Sequence, residues 1–178
     1  MTRQSFLLRA TVPVFALLAA MATASAQTEL PIRKAGLWEM KTQPGGSLPA
    51  VTMQQCTDET TEKQMSTMYS PMAKEVCSKN EIQKTATGYV TDSVCAVGGI
   101  SSTSHAETTG DFNSAYTVKT TSHNEGAPAG VPRDTTTVIE AKWLGACKPG
   151  QKPGDIVMPG GFKMNIKDME KLKALMPK

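Results

Sequence analysis

The stretch CSKNEIQKTATGYVTDSVC, residues 77–95, reads as one β-hairpin with a cysteine at each end. A turn centred on Ala86 sets Ile82 against Val90 and Cys77 against Cys95, so an apolar pair and a disulfide fit one register. The same texture extends in both directions from this hairpin. Short runs of Thr, Val, Ile and Tyr alternate with polar residues and are separated by Gly, Pro, Asn and Asp clusters. Strands are expected at Gly36–Thr42, Ala50–Cys56, Asn80–Thr85, Tyr89–Ala96, Ile100–Thr109, Ser114–His123 and Thr135–Leu144. Turns fall at Pro44-Gly45-Gly46, Gly88, Gly98-Gly99 and Gly110 to Asn113, with a longer loop from Glu125 to Arg133. The expected fold is mainly β, an antiparallel meander curling into a barrel or half-barrel.

Two stretches depart from the strand pattern. After Asp58, a capping residue, Thr61, Met65, Met68 and Met72 recur at helical spacing, and Pro71 should end or kink the helix. This predicts one short inserted helix across an end of the sheet. Lys148 to Gly161 has the Pro/Gly-rich composition of an extended, mobile linker. Beyond it, Asn165 can cap a short C-terminal amphipathic helix with Ile166, Met169, Leu172 and Met176 on one face.

The four cysteines allow three pairings. Cys77–Cys95 suits the hairpin, which leaves Cys56–Cys147 to join the ends of the second and seventh strands. The alternative, Cys56–Cys77 with Cys95–Cys147, stays open. No Cys-x-x-Cys is present, so the cysteines read as structural rather than redox-active.

The N-terminus explains why cysteines would pair. Arg3 and Arg9 flank a positive start, Ala10 to Ala22 is apolar, and Ala24-Ser25-Ala26 is a small-x-small cleavage site. Residues 1–26 therefore read as a signal peptide, cleaved before Gln27, because the apolar run is shorter than the roughly 20 residues a membrane crossing needs. The domains expected are 1–26 signal, 27–147 disulfide-stapled β domain, and 148–178 linker with the terminal helix. The expected location is periplasmic or secreted, with no transmembrane segment after cleavage. The leader carries two of the 19 basic residues and none of the 16 acidic ones, so cleavage lowers the net charge from +3 to +1. With no basic strip, nucleic acid is not an expected partner.

Candidate chemistry is sparse. His105 and His123, the only histidines, sit in or at the end of strands and lack an obvious ligand set or carboxylate orienter in sequence. Met65, Met68 and Met72 offer soft thioethers suited to Cu(I), but at helical spacing methionines more often fill a core. No Gly-x-Ser-x-Gly elbow occurs, Glu107, Asp111 and Glu140 are single charges at solvent-facing positions, and no phosphate-binding fingerprint is present. No catalytic residue, cofactor or metal ligand is assigned.

Gly36-Leu37-Trp38-Glu39, Gln55-Cys56-Thr57, the Cys77 to Cys95 hairpin, Gly98-Gly99 and Leu144-Gly145-Ala146-Cys147 together resemble an exported bacterial domain-of-unknown-function family, number 3617 (DUF3617), from about Ile32 to Cys147. The resemblance implies secretion and a scaffold, with no activity or cofactor. Gly36-Leu37-Trp38 is also similar to the Gly-x-Trp that opens lipocalin barrels, where the tryptophan meets a basic residue of the last strand. Lys142, beside Trp143, is the loose counterpart here. A closed barrel would enclose a small apolar ligand, and a half-open one would present Trp38, Tyr116 and Trp143 on its concave face. The leading expectation is a non-catalytic exported protein that binds a small hydrophobic molecule or an envelope protein. Two alternatives are a periplasmic Cu-type metal-handling protein using methionines with His105 or His123, and an uncharacterised hydrolase.

Overall fold

The computed structural model describes residues 30–45 and 48–168, except for the side chains of 67–72. The expected signal peptide (1–26), Gly46 of the first turn, and Met169, Leu172 and Met176 of the last helix lie outside these residues, as do the side chains of Met68 and Met72. Among the described residues nine strands form one antiparallel sheet: β1 (Gly36–Gln43), β2 (Val51–Thr57), β3 (Cys77–Lys84), β4 (Gly88–Val97), β5 (Ile100–Asp111), β6 (Ala115–Glu125), β7 (Asp134–Gly145), β8 (Asp155–Val157) and β9 (Lys163–Asn165). Their spatial order is β3-β4-β5-β6-β7-β1-β2-β8-β9. The sheet does not close, so β3 and β9 are its edges.

Within the hairpin the register differs from the expected one. The tip is the two-residue Ala86-Thr87, closed by the Thr85 N–H donating to the Gly88 carbonyl at 2.9 Å. An even tip shifts the ladder by one residue, so Ile82 faces Thr91 and Val90 faces Gln83. A bulge between Cys77 and Lys79 absorbs the shift and brings Cys77 opposite Cys95. The two cysteines are bridged, and Cys56 is bridged to Cys147. The second bridge spans three strands, because Leu37 of β1 lies between Cys56 on one side and Gly145 on the other.

The helix α1 (Glu59–Val76) starts at a reciprocal cap. The Thr61 N–H donates to Asp58 Oδ1 at 2.8 Å and the Asp58 N–H donates to Thr61 Oγ1 at 2.9 Å. It runs past Pro71 instead of stopping there. Eighteen residues at 1.5 Å each give about 27 Å, and over this length the helix carries the chain from β2 to β3 at the edge of the sheet.

The segment expected as a mobile linker is instead part of the sheet. Gly154 N–H donates to the Cys56 carbonyl at 2.8 Å, β8 pairs with β2, and β9 pairs with β8. Asp155 organises this corner. Its buried carboxylate accepts from the Lys152 N–H and Asn165 Nδ2, each at 2.8 Å, and pairs with Lys163 Nζ at 2.8 Å. Burial opposes its charge, but these partners prevail and hold its pKa down at about 2. Ile166, 3% exposed, opens the last helix beside Gly154, with Asn165 Oδ1 accepting from the Lys167 N–H.

A carboxylate whose pKa is lower in the folded than in the unfolded chain adds stability above its ordinary value, and that contribution disappears as pH falls through the folded value. Asp155→Asn is therefore expected to cost about 2 kcal/mol at neutral pH. Urea unfolding of the wild type should show this contribution fading between about pH 4 and pH 2, and the variant should lack that part of the acid limb. Parallel acid limbs in the two proteins would contradict the assignment.

Candidate functional site

Alternation along each strand sorts the sheet into two faces. Cross-strand partners share a face, so Trp38, Gln55, Ala141, Tyr116, Gly110, Thr108 and Tyr89 lie on one side and Glu39, Lys142, Glu140, His105 and Asp92 on the other. The first side carries α1 with the buried Trp38 and Ala141, and the buried Leu37 and Cys56 lie on the other.

On that side four aromatic rings form a continuous run. Trp38, fully buried, lies 5.6 Å from Tyr116 between centroids. Tyr116 stacks on Phe112 at 4.6 Å, and Phe112 meets Tyr89 edge-on at 6.1 Å. Phe112 comes from the β5–β6 turn, whose carbonyl at Phe112 accepts from the Lys34 N–H at 2.9 Å. Gly110 faces Tyr116 across the ladder; a Cβ there would come within 2.8 Å of the Tyr116 Cα, so only glycine leaves the ring its place. Tyr89, Phe112 and Tyr116 remain partly exposed.

Beneath the rings sits a buried polar cluster. Arg33 is 8% exposed and donates to Glu62 through Nη2 at 2.6 Å and Nε at 3.1 Å, and to Gln55 Oε1 at 3.0 Å. Thr57 Oγ1 donates to the same Glu62 oxygen at 2.6 Å. Burial pulls the Arg33 pKa down, while Glu62 and Tyr116 more than offset this and raise it. Burial also pushes the Tyr116 phenol above its ordinary value. The guanidinium carbon stands 5.8 Å from the Trp38 ring centroid, and the indole N–H donates to the Lys34 carbonyl at 2.8 Å. The basic partner of Trp38 is thus Arg33, not Lys142, which faces Glu39 on the opposite side of the sheet.

The three aromatics expected on a concave face share one side of the sheet: Tyr116 meets the Trp38 ring, and Trp143 is the ladder partner of Trp38. Lys34 Nζ lies 3.7 Å over the Trp143 ring, whose N–H donates to the Ala35 carbonyl at 3.1 Å. Trp38 contributes as the floor under Tyr116 and presents no surface of its own. Arg33, Glu62, Tyr89 and Phe112 had no role in the sequence reading. The one local sign was an aromatic residue in the otherwise polar turn Asp111 to Ser114.

The other face holds a polar groove of about 500 Å³. His105 Nδ1 pairs with Asp92 and His123 Nδ1 with Asp134, each at 2.7 Å. Asp92 raises the His105 pKa, with a further contribution from Glu107, whose carboxylate lies 3.8 Å from Nε2. Nε2 is thereby turned along β5 away from the side on which His123 lies. Met65, at 3.1 Å from Gln55 Nε2, belongs to the helix-bearing face, so it does not join the histidines. The hydroxyl pair Ser104–Ser122, 2.8 Å apart, belongs by strand alternation to the helix-bearing face as well. Among the described residues no group of three or more His, Cys, Asp or Glu is arranged to hold a metal ion, and no helix is long and apolar enough to cross a membrane.

No curated protein and no solved structure matches the chain. The family model described as protein of unknown function (DUF3617) matches residues 33–147. That span begins at the buried Arg33 and ends at the bridged Cys147, enclosing the aromatic run and both disulfides, and the chain belongs to this family.

Proposed function

We propose that this chain is exported to the periplasm and acts there as a non-catalytic binding protein, seating a small apolar molecule against Tyr89, Phe112 and Tyr116. The observation that carries the reading is the run of touching rings on the helix-bearing face, partly exposed at Tyr89, Phe112 and Tyr116 and anchored on the buried Trp38. Aromatic side chains kept partly in water forgo burial that would stabilise the fold, and such surface is characteristic of ligand or partner sites. Two disulfides suit an oxidising compartment. The export signal read at residues 1–26 supplies the route.

The test has two arms. Native mass spectrometry of protein recovered from its own periplasm should retain a lipid-sized mass. Binding of N-phenylnaphthylamine, followed by its fluorescence, should weaken about tenfold in Phe112→Ala, in line with the loss of one ring's contact area. Unchanged probe affinity, or a co-purifying envelope protein in place of a small mass, would overturn the apolar-ligand reading.

A further inference from the structure

We infer that two copies of this chain associate through β3, edge to edge and antiparallel, about a two-fold axis at Asn80. The open sheet ends in two unlike edges. On one, β9 is three residues long, but on the other β3 runs for eight residues, Cys77–Lys84. Among the described residues nothing pairs with its outer side, so a row of backbone N–H and C=O groups is left for another strand. The strand is kept extended for that role by its ladder to β4 and by the Cys77–Cys95 bridge at one end.

The side chains select both the occupant and the register. A two-fold axis perpendicular to the sheet keeps each face on its own side, so residues that face one another across the new ladder must have the same parity. Two registers then place the axis near the middle of β3. With the axis at Asn80, Lys79 of each copy faces Glu81 of the other, giving two opposite-charge pairs by symmetry, while the uncharged Asn80 faces itself and the regular ladder ends where Ile82 meets the bulge at Ser78. With the axis at Glu81, that carboxylate would face its own copy, which is unfavourable. Lys79 and Glu81 project from the same exposed side, 44% and 58% exposed, and already stand 3.4 Å apart within one chain. Lysine on an edge strand ordinarily discourages pairing. Here the glutamate two residues on converts that deterrent into a match for an identical strand, and Lys84 falls beyond the paired stretch. One ladder buries less than a standard interface, so the association is of the weak class.

Sedimentation velocity of the mature chain, over a concentration series from micromolar to submillimolar, tests this directly. The wild type should pass from monomer to dimer. Lys79→Glu and Glu81→Lys should each weaken dimerisation by at least about tenfold, because each turns two attractive pairs into two repulsive ones. Mixing these two variants should restore association as a heterodimer, since every acidic side chain of the first copy then meets a basic one of the second. The double exchange K79E/E81K should likewise restore the homodimer. A wild type that stays monomeric throughout, single variants that dimerise like the wild type, or a mixture that remains monomeric would each overturn the proposal.

Discussion

Replacing Cys56 and Cys147 together by alanine is expected to lower the free energy of unfolding by about 4 to 5 kcal/mol, whereas the same change at Cys77 and Cys95 should cost about 3. The difference follows from the chain each bridge closes, 91 residues against 18, because the entropy removed from the unfolded ensemble grows with the logarithm of loop length. A cross-link over β1 adds a structural reason. Cys56 is fully buried beside Leu37, and β8 hangs from the same place through the hydrogen bond to the Cys56 carbonyl. Most domains are stable by only about 5 to 15 kcal/mol, so loss of the long bridge removes a large part of the margin. Urea titrations under non-reducing conditions measure both values. Equal losses in the two double variants would show that loop length is not what governs the contribution.

The second large effect is expected at Arg33. Arg33→Ala leaves the Glu62 carboxylate, 12% exposed, without its guanidinium, and breaking one partner of a buried pair costs about 3 to 5 kcal/mol. Replacing both partners by apolar residues, Arg33→Met with Glu62→Leu, should recover most of that loss, since the penalty arises from an uncompensated charge rather than from the absence of the pair. The pair also ties the segment before β1 to the first turns of α1 and lies against Trp38. Trp38 fluorescence should therefore shift to the red in R33A more than in the double variant, as water reaches the indole. Urea unfolding of the three proteins gives the coupling energy. A single-variant loss below about 1 kcal/mol would place the pair with ordinary surface ion pairs.

The strands from β1 to β7 were legible because their signal is local. Alternation with a period of two, bounded by Gly, Pro, Asn and Asp, is written into each run independently of its neighbours. Asp58 was likewise legible as a helix start, since a capping side chain answers to backbone groups within three residues. The strands β8 and β9 were not. Three-residue strands in a Pro/Gly-rich stretch carry no periodicity, and these are held by distant partners, the Cys56 carbonyl and the Asp155 cluster. The candidate site divides the same way. Trp38 and Tyr116 could be picked out as aromatic, but Arg33 and Glu62 are 29 residues apart, and no pattern announces that they meet. Phe112 reaches Tyr89 and Tyr116 only through the turn that lies between β5 and β6.

From its residues alone, this protein is committed to antiparallel strands, to a capped helix between the second and third of them, and to cysteines placed at strand ends, because propensity, alternation and turn chemistry act over a few neighbours. Tertiary structure decided that the sheet stays open, that the tail adds two strands to it, that Trp38 is floor and not surface, and that the histidines turn away from the methionine on the other face. Those outcomes depend on register and on which distant groups satisfy one another's charge and hydrogen bonds, and such pairings exist only once the chain has folded.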